Sequence, residues 1–237
     1  MNGTPLPADD PVGRPGEDAL LVIPLVLAAI ALRTGSSFAK LGVPLSCALT
    51  LLWVHRGALG RHRRLFWVVA AFAFSAAGDW FLSHRRGREG YFLMGIGLFA
   101  CAHGGYLGYA GSQGRPSLRA LAVLLGVYLP YYAVWLRPEI RSPALSAAVL
   151  GYLLISCVVL SAACGMRLER GPYWAYVAGM ALVVFSDTII SFSEFLGFRD
   201  WNGLILPTYY LAHGCVTWSV LHSGLARRRE SCSNHPL

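Results

Sequence analysis

Charge is what this chain has least of. Only 14% of its 237 residues are Asp, Glu, Lys or Arg, while 55% are hydrophobic. A soluble domain of that size needs far more polar surface to cover its core. The six cysteines include no CxxC pair and no His/Cys spacing of the zinc kind, so no metal site and no dithiol motif is indicated. Cys47, Cys101, Cys157, Cys164 and Cys215 fall within or at the end of apolar runs and Cys232 near the C-terminus, and they read as small buried hydrophobes. A net charge of +8 invites a nucleic-acid reading, but the basic residues form no stripe. They are scattered through short gaps between apolar runs, where Lys and Arg flank membrane helices. No nucleic-acid partner is expected. The first eighteen residues, MNGTPLPADDPVGRPGED, have no basic stretch leading into a short apolar core, so they read as a disordered tail rather than a cleaved signal peptide.

What the chain does have is apolar runs of about twenty residues, the length an α-helix needs to cross hydrocarbon. Basic and Gly/Pro punctuation divides them into eight spans: 19–33, 40–55, 65–84, 91–110, 118–136, 143–164, 172–196 and 203–222. The fold class expected is an all-α integral membrane protein with an eight-helix domain over 19–222, a tail at 1–18 and a basic tail at 223–237. The second span is the weakest, because Pro44 interrupts it. Lys and Arg divide 12 to 8 between the two sets of loops and tails, mostly through HRGALGRHRR (55–64) and RRR (227–229). That bias puts both termini in the cytoplasm, with Arg85, Arg86 and Arg88 opposing it. The expected location is the inner membrane in a bacterium or the endoplasmic reticulum in a eukaryote.

Two stretches match one another. The third and fourth spans contain SAAGDWFLS (75–83) and AHG (102–104); the seventh and eighth contain FSDTIIS (185–191) and AHG (212–214). Asp79 and Asp187 are 108 residues apart, as are Ser83 and Ser191, and His103 and His213 are 110 apart. The spacing predicts two parallel four-helix repeats, with the third and seventh helices running in the same direction. Both aspartates then lie at about 21–22 Å from the start of their helices, at matching depth.

A carboxylate at the bilayer centre costs roughly 2.5–3.5 kcal/mol on insertion scales, so intramembrane acids are functional by default. The alternative for Asp79 and Asp187 is a pair of structural acids satisfied by hydroxyls or indole N–H groups. Ser83 and Ser191 share the faces of these acids at i+4, and Glu194 at i+7 extends the second face. His103 and His213 suit helix–helix hydrogen bonding as well as a site, and Tyr209 and Tyr210 suit an aromatic core pair as well as one. Small residues, among them Gly78, Gly95, Gly97, Gly104, Gly105 and Gly179, allow close helix approach or leave room for a ligand. Trp53, Trp67, Trp135 and Trp218 lie near span ends and read as interfacial anchors.

At these residues the chain resembles the YhhN-like lysoplasmalogenases. The matching stretches are SAAGD (75–79), FLMGIGLFACAHGGY (92–106), GMALVVFSD (179–187) and PTYYLAH (207–213). Phe92, Gly95, Phe99, Ala102, His103 and Tyr106 fit the first half of the family's pattern, and Ser186, Asp187, Thr208, Tyr209, Tyr210 and Ala212 fit the second. His213 stands where the pattern has glutamine. The resemblance implies an eight-helix enzyme that cleaves the vinyl ether of lysoplasmalogens, with Asp79 and Asp187 as its two key acids. Its partner is a lysophospholipid in the membrane, and it needs no cofactor. Ser83, His103, Tyr106, Ser191, Glu194, Tyr209, Tyr210 and His213 are the expected substrate-binding residues, with Glu194 facing the head-group ammonium.

The chemistry suits two acids. A vinyl ether hydrolyses when an acid protonates its β-carbon, leaving an oxocarbenium ion that water attacks. One protonated carboxyl and one carboxylate divide that labour, as they do in glycosidases. A protonated His213 is expected to oppose the developing cation, so activity is expected to fall on the acid side of pH 7. Two rival classes fit parts of the pattern: a proton-coupled transporter, which also needs paired intramembrane acids, and a non-catalytic lipid-binding protein.

Overall fold

The computed structural model describes residues 18–56 and 63–223. The N-terminal tail at 1–17, most of the basic loop at 55–64, and the C-terminal stretch with RRR and Cys232 lie outside the described residues.

Among the described residues, eight helices follow one another. A 3-10 turn, Asp18–Leu21, leads into α1, Val22–Thr34. Then come α2, Ser37–Val54; α3, Arg63–Ser83; and α4, Glu89–Gly111. α5 starts as Leu118–Tyr131, passes through a π-helical stretch at Tyr132–Leu136 and ends as Arg137–Glu139. α6 is Pro143–Cys164, α7 Arg170–Phe195 and α8 Asn202–His222. Each lies within three residues of an expected span. The ends have local causes. Gly35, at φ 65°, closes α1 by giving its N–H to the Ala31 carbonyl at 2.9 Å, a conformation glycine adopts without steric cost. Ser142 caps α6 by accepting from the Leu145 N–H, with Pro143 at the first helical position. Pro44 does not break α2 but deprives the Lys40 carbonyl of its helical donor.

Six helices, α2 through α7, are long and apolar enough to cross a membrane. The expectation of eight is met in helix number but not in apolar length. α1 is short, with an apolar stretch of Ala19–Thr34. α8 has 21 residues but carries Thr208, Tyr209, Tyr210, His213, Thr217, Ser219 and His222. Of these, Tyr209 lines the site described below.

The helices alternate in direction. At one end Arg64 donates to Gln113 at 3.2 Å and the Arg167 N–H to the Gln113 carbonyl at 3.0 Å, joining the 2–3, 4–5 and 6–7 connections. At the other end Ser142 donates to Glu89 at 2.6 Å and Arg85 pairs with Glu194. α3 packs on α4 and α7 on α8, while α4 also packs on α6 and α8 on α2. The two halves differ at their first helices. α1 packs on both α2 and α8, whereas α5 packs chiefly on α6, and none of Leu118–Tyr131 is buried.

The main core gathers Leu51, Phe72, Tyr109, Ala162, Tyr176, Met180 and Val216 from six helices. Glycines set its closest approaches. A Cβ on Gly105 would meet the Trp67 carbonyl of α3 at 2.5 Å, and one on Gly179 would meet Val216 of α8 at 2.9 Å. Gly78 and Gly95 are likewise closed over by Phe99 and Leu82, while Gly97 and Gly104 face open space. Trp53, Trp67 and Trp135 are exposed near helix ends. Among the described cysteines, Cys47 and Cys157 are buried, but Cys101 is exposed on α4 and departs from the buried reading.

Candidate active site

The aspartates come together at the end of the bundle where α3 and α7 finish and α2 and α8 begin. A cavity of about 340 Å³ there is lined by both Asp79 and Asp187, within the range of small-molecule sites. Both side chains are half-buried. Gly78, immediately before Asp79, lets the Phe99 ring lie flush against α3.

Each acid has its own tyrosine, and the two come from different helices. Tyr209 of α8 donates its hydroxyl to Asp79 Oδ2 at 3.1 Å. Tyr152 of α6 donates to Asp187 Oδ2 at 2.7 Å. Behind Tyr152 stands His103, whose Nδ1 lies 2.9 Å from the Phe99 carbonyl and whose Nε2 lies 3.3 Å from Ser156 Oγ. A carbonyl can only accept, so Nδ1 carries the proton, while Ser156 gives its own proton to the Tyr152 carbonyl at 2.8 Å.

His213 repeats half of this. Its Nδ1 donates to the Tyr209 carbonyl at 2.8 Å, and its ring stacks on Phe72 with centroids 5.1 Å apart. It is 1% exposed, its Nε2 has no hydrogen-bond partner among the described residues, and it sits one turn behind Tyr209, outside the cavity lining. The expectation that it faces the reacting centre is therefore corrected: it backs Tyr209. Tyr210 also points away from the lining, packed with Ala28, Ala31 and Val43 of α1 and α2, its hydroxyl without a partner among the described residues. Tyr106 is 2% exposed and lies beneath the cavity, between Phe72 and His103.

The two serines at i+4 diverge. Ser83 lines the large cavity. Ser191 turns toward α5, where Tyr131 meets its hydroxyl at 2.7 Å. Glu194 lines the cavity mouth but is already engaged: Arg85 grips its two oxygens at 2.7 and 2.6 Å. That hydrogen bond raises the Arg85 pKa above its ordinary value, so the cation is held firmly. Glu194, expected to face an ammonium, is thus already paired with Arg85 in the structure.

Sequence reasoning missed Lys40, Tyr152 and Asn202. Lys40 is the only lysine in the chain, lines the cavity, and lies close enough to Asp79 to act on it electrostatically. Its uniqueness at the start of an apolar helix was a readable signal. Tyr152 had none: it sits in an unbroken apolar run, and only the α6–α7 packing brings it to Asp187. Asn202 opens α8 at the mouth and donates to Ser193 at 3.1 Å.

The fold and this cavity define a multi-pass helical membrane protein with an acid pair held between its helices. Residues 36–220 match the YhhN family, and the chain belongs to that family. No curated protein and no solved structure matches it.

Proposed function

We propose that this protein is a lysoplasmalogenase-type hydrolase that converts a 1-alkenyl lysophospholipid to a fatty aldehyde and a glycerophospho-ethanolamine or -choline. The observation that supports this reading best is the convergence of Asp79 and Asp187 on one cavity, each with a tyrosine donor, in a chain of the YhhN family.

In the reaction one carboxyl gives its proton to the β-carbon of the vinyl ether, and the adjacent carbon becomes an oxocarbenium ion. Water adds to that carbon as the other carboxylate takes its proton. The hemiacetal hydroxyl then returns a proton to the first group, the carbon–oxygen bond breaks, and the leaving alkoxide takes the proton from the second. Both acids regain their starting states, as in glycosidase chemistry. The tyrosines orient the carboxyls, and the half-buried setting strengthens every charge interaction in the site. Lys40, which no carboxylate among the described residues grips as Glu194 grips Arg85, supplies positive charge for the phosphodiester. Lys/Arg bias supports both termini in the cytoplasm, with the cavity opening to the opposite face.

The test is aldehyde release from a 1-alkenyl lysophospholipid by purified protein, with the 1-alkyl ether as control. Aldehyde from the alkenyl lipid alone is expected, and Asp79→Asn and Asp187→Asn are each expected to lose turnover while staying folded. Wild-type activity in either variant overturns the two-carboxyl mechanism.

A further inference from the structure

Asp187 lines more than the polar cavity. It is also the inner end of a narrow apolar crevice of about 60 Å³ between α5, α6 and α7, walled by Tyr128, Leu136, Val149, Leu153 and Val184. A second gap of about 70 Å³, on the α4 side, shares Val149, Tyr152, Asp187 and Ser191 with it. Asp79 lines neither. The two acids therefore see different surroundings: Asp79 faces a cavity that also holds Lys40 and Asn202, whereas Asp187 stands where that cavity meets hydrocarbon walls.

The outer wall of the crevice is the least anchored helix of the bundle. No residue of Leu118–Tyr131 is buried, Pro130 removes a helical donor, and the chain passes into a π-helical stretch at Tyr132–Leu136. Two hydroxyl contacts fasten α5 to α7, Tyr128 to Thr188 at 3.0 Å and Tyr131 to Ser191 at 2.7 Å. Thr188 and Ser191 spend their own protons on the Val184 and Thr188 carbonyls, so the tyrosines are the donors.

We propose that this crevice receives the first carbons of the lipid's hydrocarbon chain, and that Asp187 is consequently the acid that protonates the vinyl ether. The inference rests on the hydrolase reading above. With the head group in the polar cavity and the chain running past Asp187 between α5 and α6, the vinyl carbon remote from oxygen lies on the Asp187 side. That carbon is the one that takes the proton. The oxocarbenium carbon, bonded to the glycerol oxygen, lies toward Asp79, which accepts a proton from the attacking water. The crevice is too narrow for a whole chain, so the remaining carbons leave past α5 into lipid.

Two measurements test this. The first compares kcat/KM for a long-chain alkenyl lysolipid with that for a propenyl ether of the same head group. In Leu153→Trp and Val184→Phe, which fill the crevice, the long-to-short ratio is expected to fall on the order of tenfold, what two buried methylenes contribute. The second follows deuterium from D2O into the β-vinyl position of recovered substrate. Asp79→Asn keeps the acid beside that carbon and is expected to exchange it without hydrolysis, whereas Asp187→Asn is expected not to. An unchanged ratio in both filling variants, or exchange in Asp187→Asn but not in Asp79→Asn, overturns the proposal while leaving the hydrolase reading in place. No aldehyde from any alkenyl substrate with wild-type protein overturns the hydrolase reading itself.

Discussion

Tyr209 reaches across from α8 to donate to Asp79 on α3, 130 residues away in the chain, at 3.1 Å. Tyr152 does the same for Asp187 from α6 at 2.7 Å. The acids sit on helices that match in sequence, yet their donors come from helices that do not correspond in the proposed repeat. The site is asymmetric although the helices that carry it are alike.

Removing either donor while keeping the ring isolates that contribution. Tyr209→Phe and Tyr152→Phe are expected to lower kcat/KM about ten- to a hundredfold, since a hydrogen bond to a charged group contributes about 1.5–3 kcal/mol. The fall should lie mostly in kcat, because each hydroxyl's hydrogen bond is made to an acid. Thermal unfolding of each variant close to wild type shows that the fold has not moved; full activity in either would remove that tyrosine from the site.

Much of this arrangement was legible in the sequence. Apolar runs and their punctuation located the eight described helices, and for six of them the reason is that burial in lipid imposes a run length that composition cannot disguise. The repeat of Asp79 with Asp187 pointed to one site, and both line one cavity. What the sequence could not supply was which side chain completes each acid. Tyr152 lies in an apolar run with nothing local to mark it, and its role comes from the angle at which α6 meets α7. Ser83 and Ser191 misled for the complementary reason: their spacing from the acids is identical, but α7 faces α5 at Ser191 and turns that hydroxyl away from the cavity. Glu194 could not be read as neutralised, because Arg85 is 109 residues away in sequence.

The cations at the mouth are expected to behave differently. Arg85 is held bidentately by Glu194 and partly exposed, so the pair contributes little to binding or stability. Glu194→Gln should change KM for a zwitterionic lysolipid by less than about threefold. Lys40→Gln should raise KM about tenfold or more, with a smaller effect on kcat, if its ammonium meets the phosphodiester. Initial rates against lipid concentration in mixed micelles check both, and a larger KM effect from Glu194 than from Lys40 would reverse the assignment.

Close helix approach at α3–α4 should be unforgiving. A Cβ on Gly105 would lie 2.5 Å from the Trp67 carbonyl and 2.9 Å from Ala71 Cβ, so the backbones must separate. Gly105→Val is expected to lose several °C in unfolding temperature or fail to accumulate. Gly104→Val, one residue earlier and facing open space, is expected to tolerate the change apart from its helix propensity. Equal losses in both would mean that propensity rather than packing decides.

His213 provides the last prediction, because its position reverses what its residue type suggests. A histidine near two acids invites a pH switch, with an unperturbed pKa of about 6.5. The structure places it behind Tyr209, stacked on Phe72, with Nδ1 donating to the Tyr209 carbonyl and no carboxylate in contact. From there it positions Tyr209 and does not meet the substrate. His213→Gln can preserve a donor for that carbonyl, so the variant is expected to keep the wild-type shape of kcat/KM against pH and lose only a few-fold in magnitude. His213→Leu, which removes the donor, should lose more, in parallel with Tyr209→Phe, and the Tyr209→Phe/His213→Leu double variant should be no worse than the worse single one. A pH profile flattened by His213→Gln would restore histidine as a titrating group in the reaction.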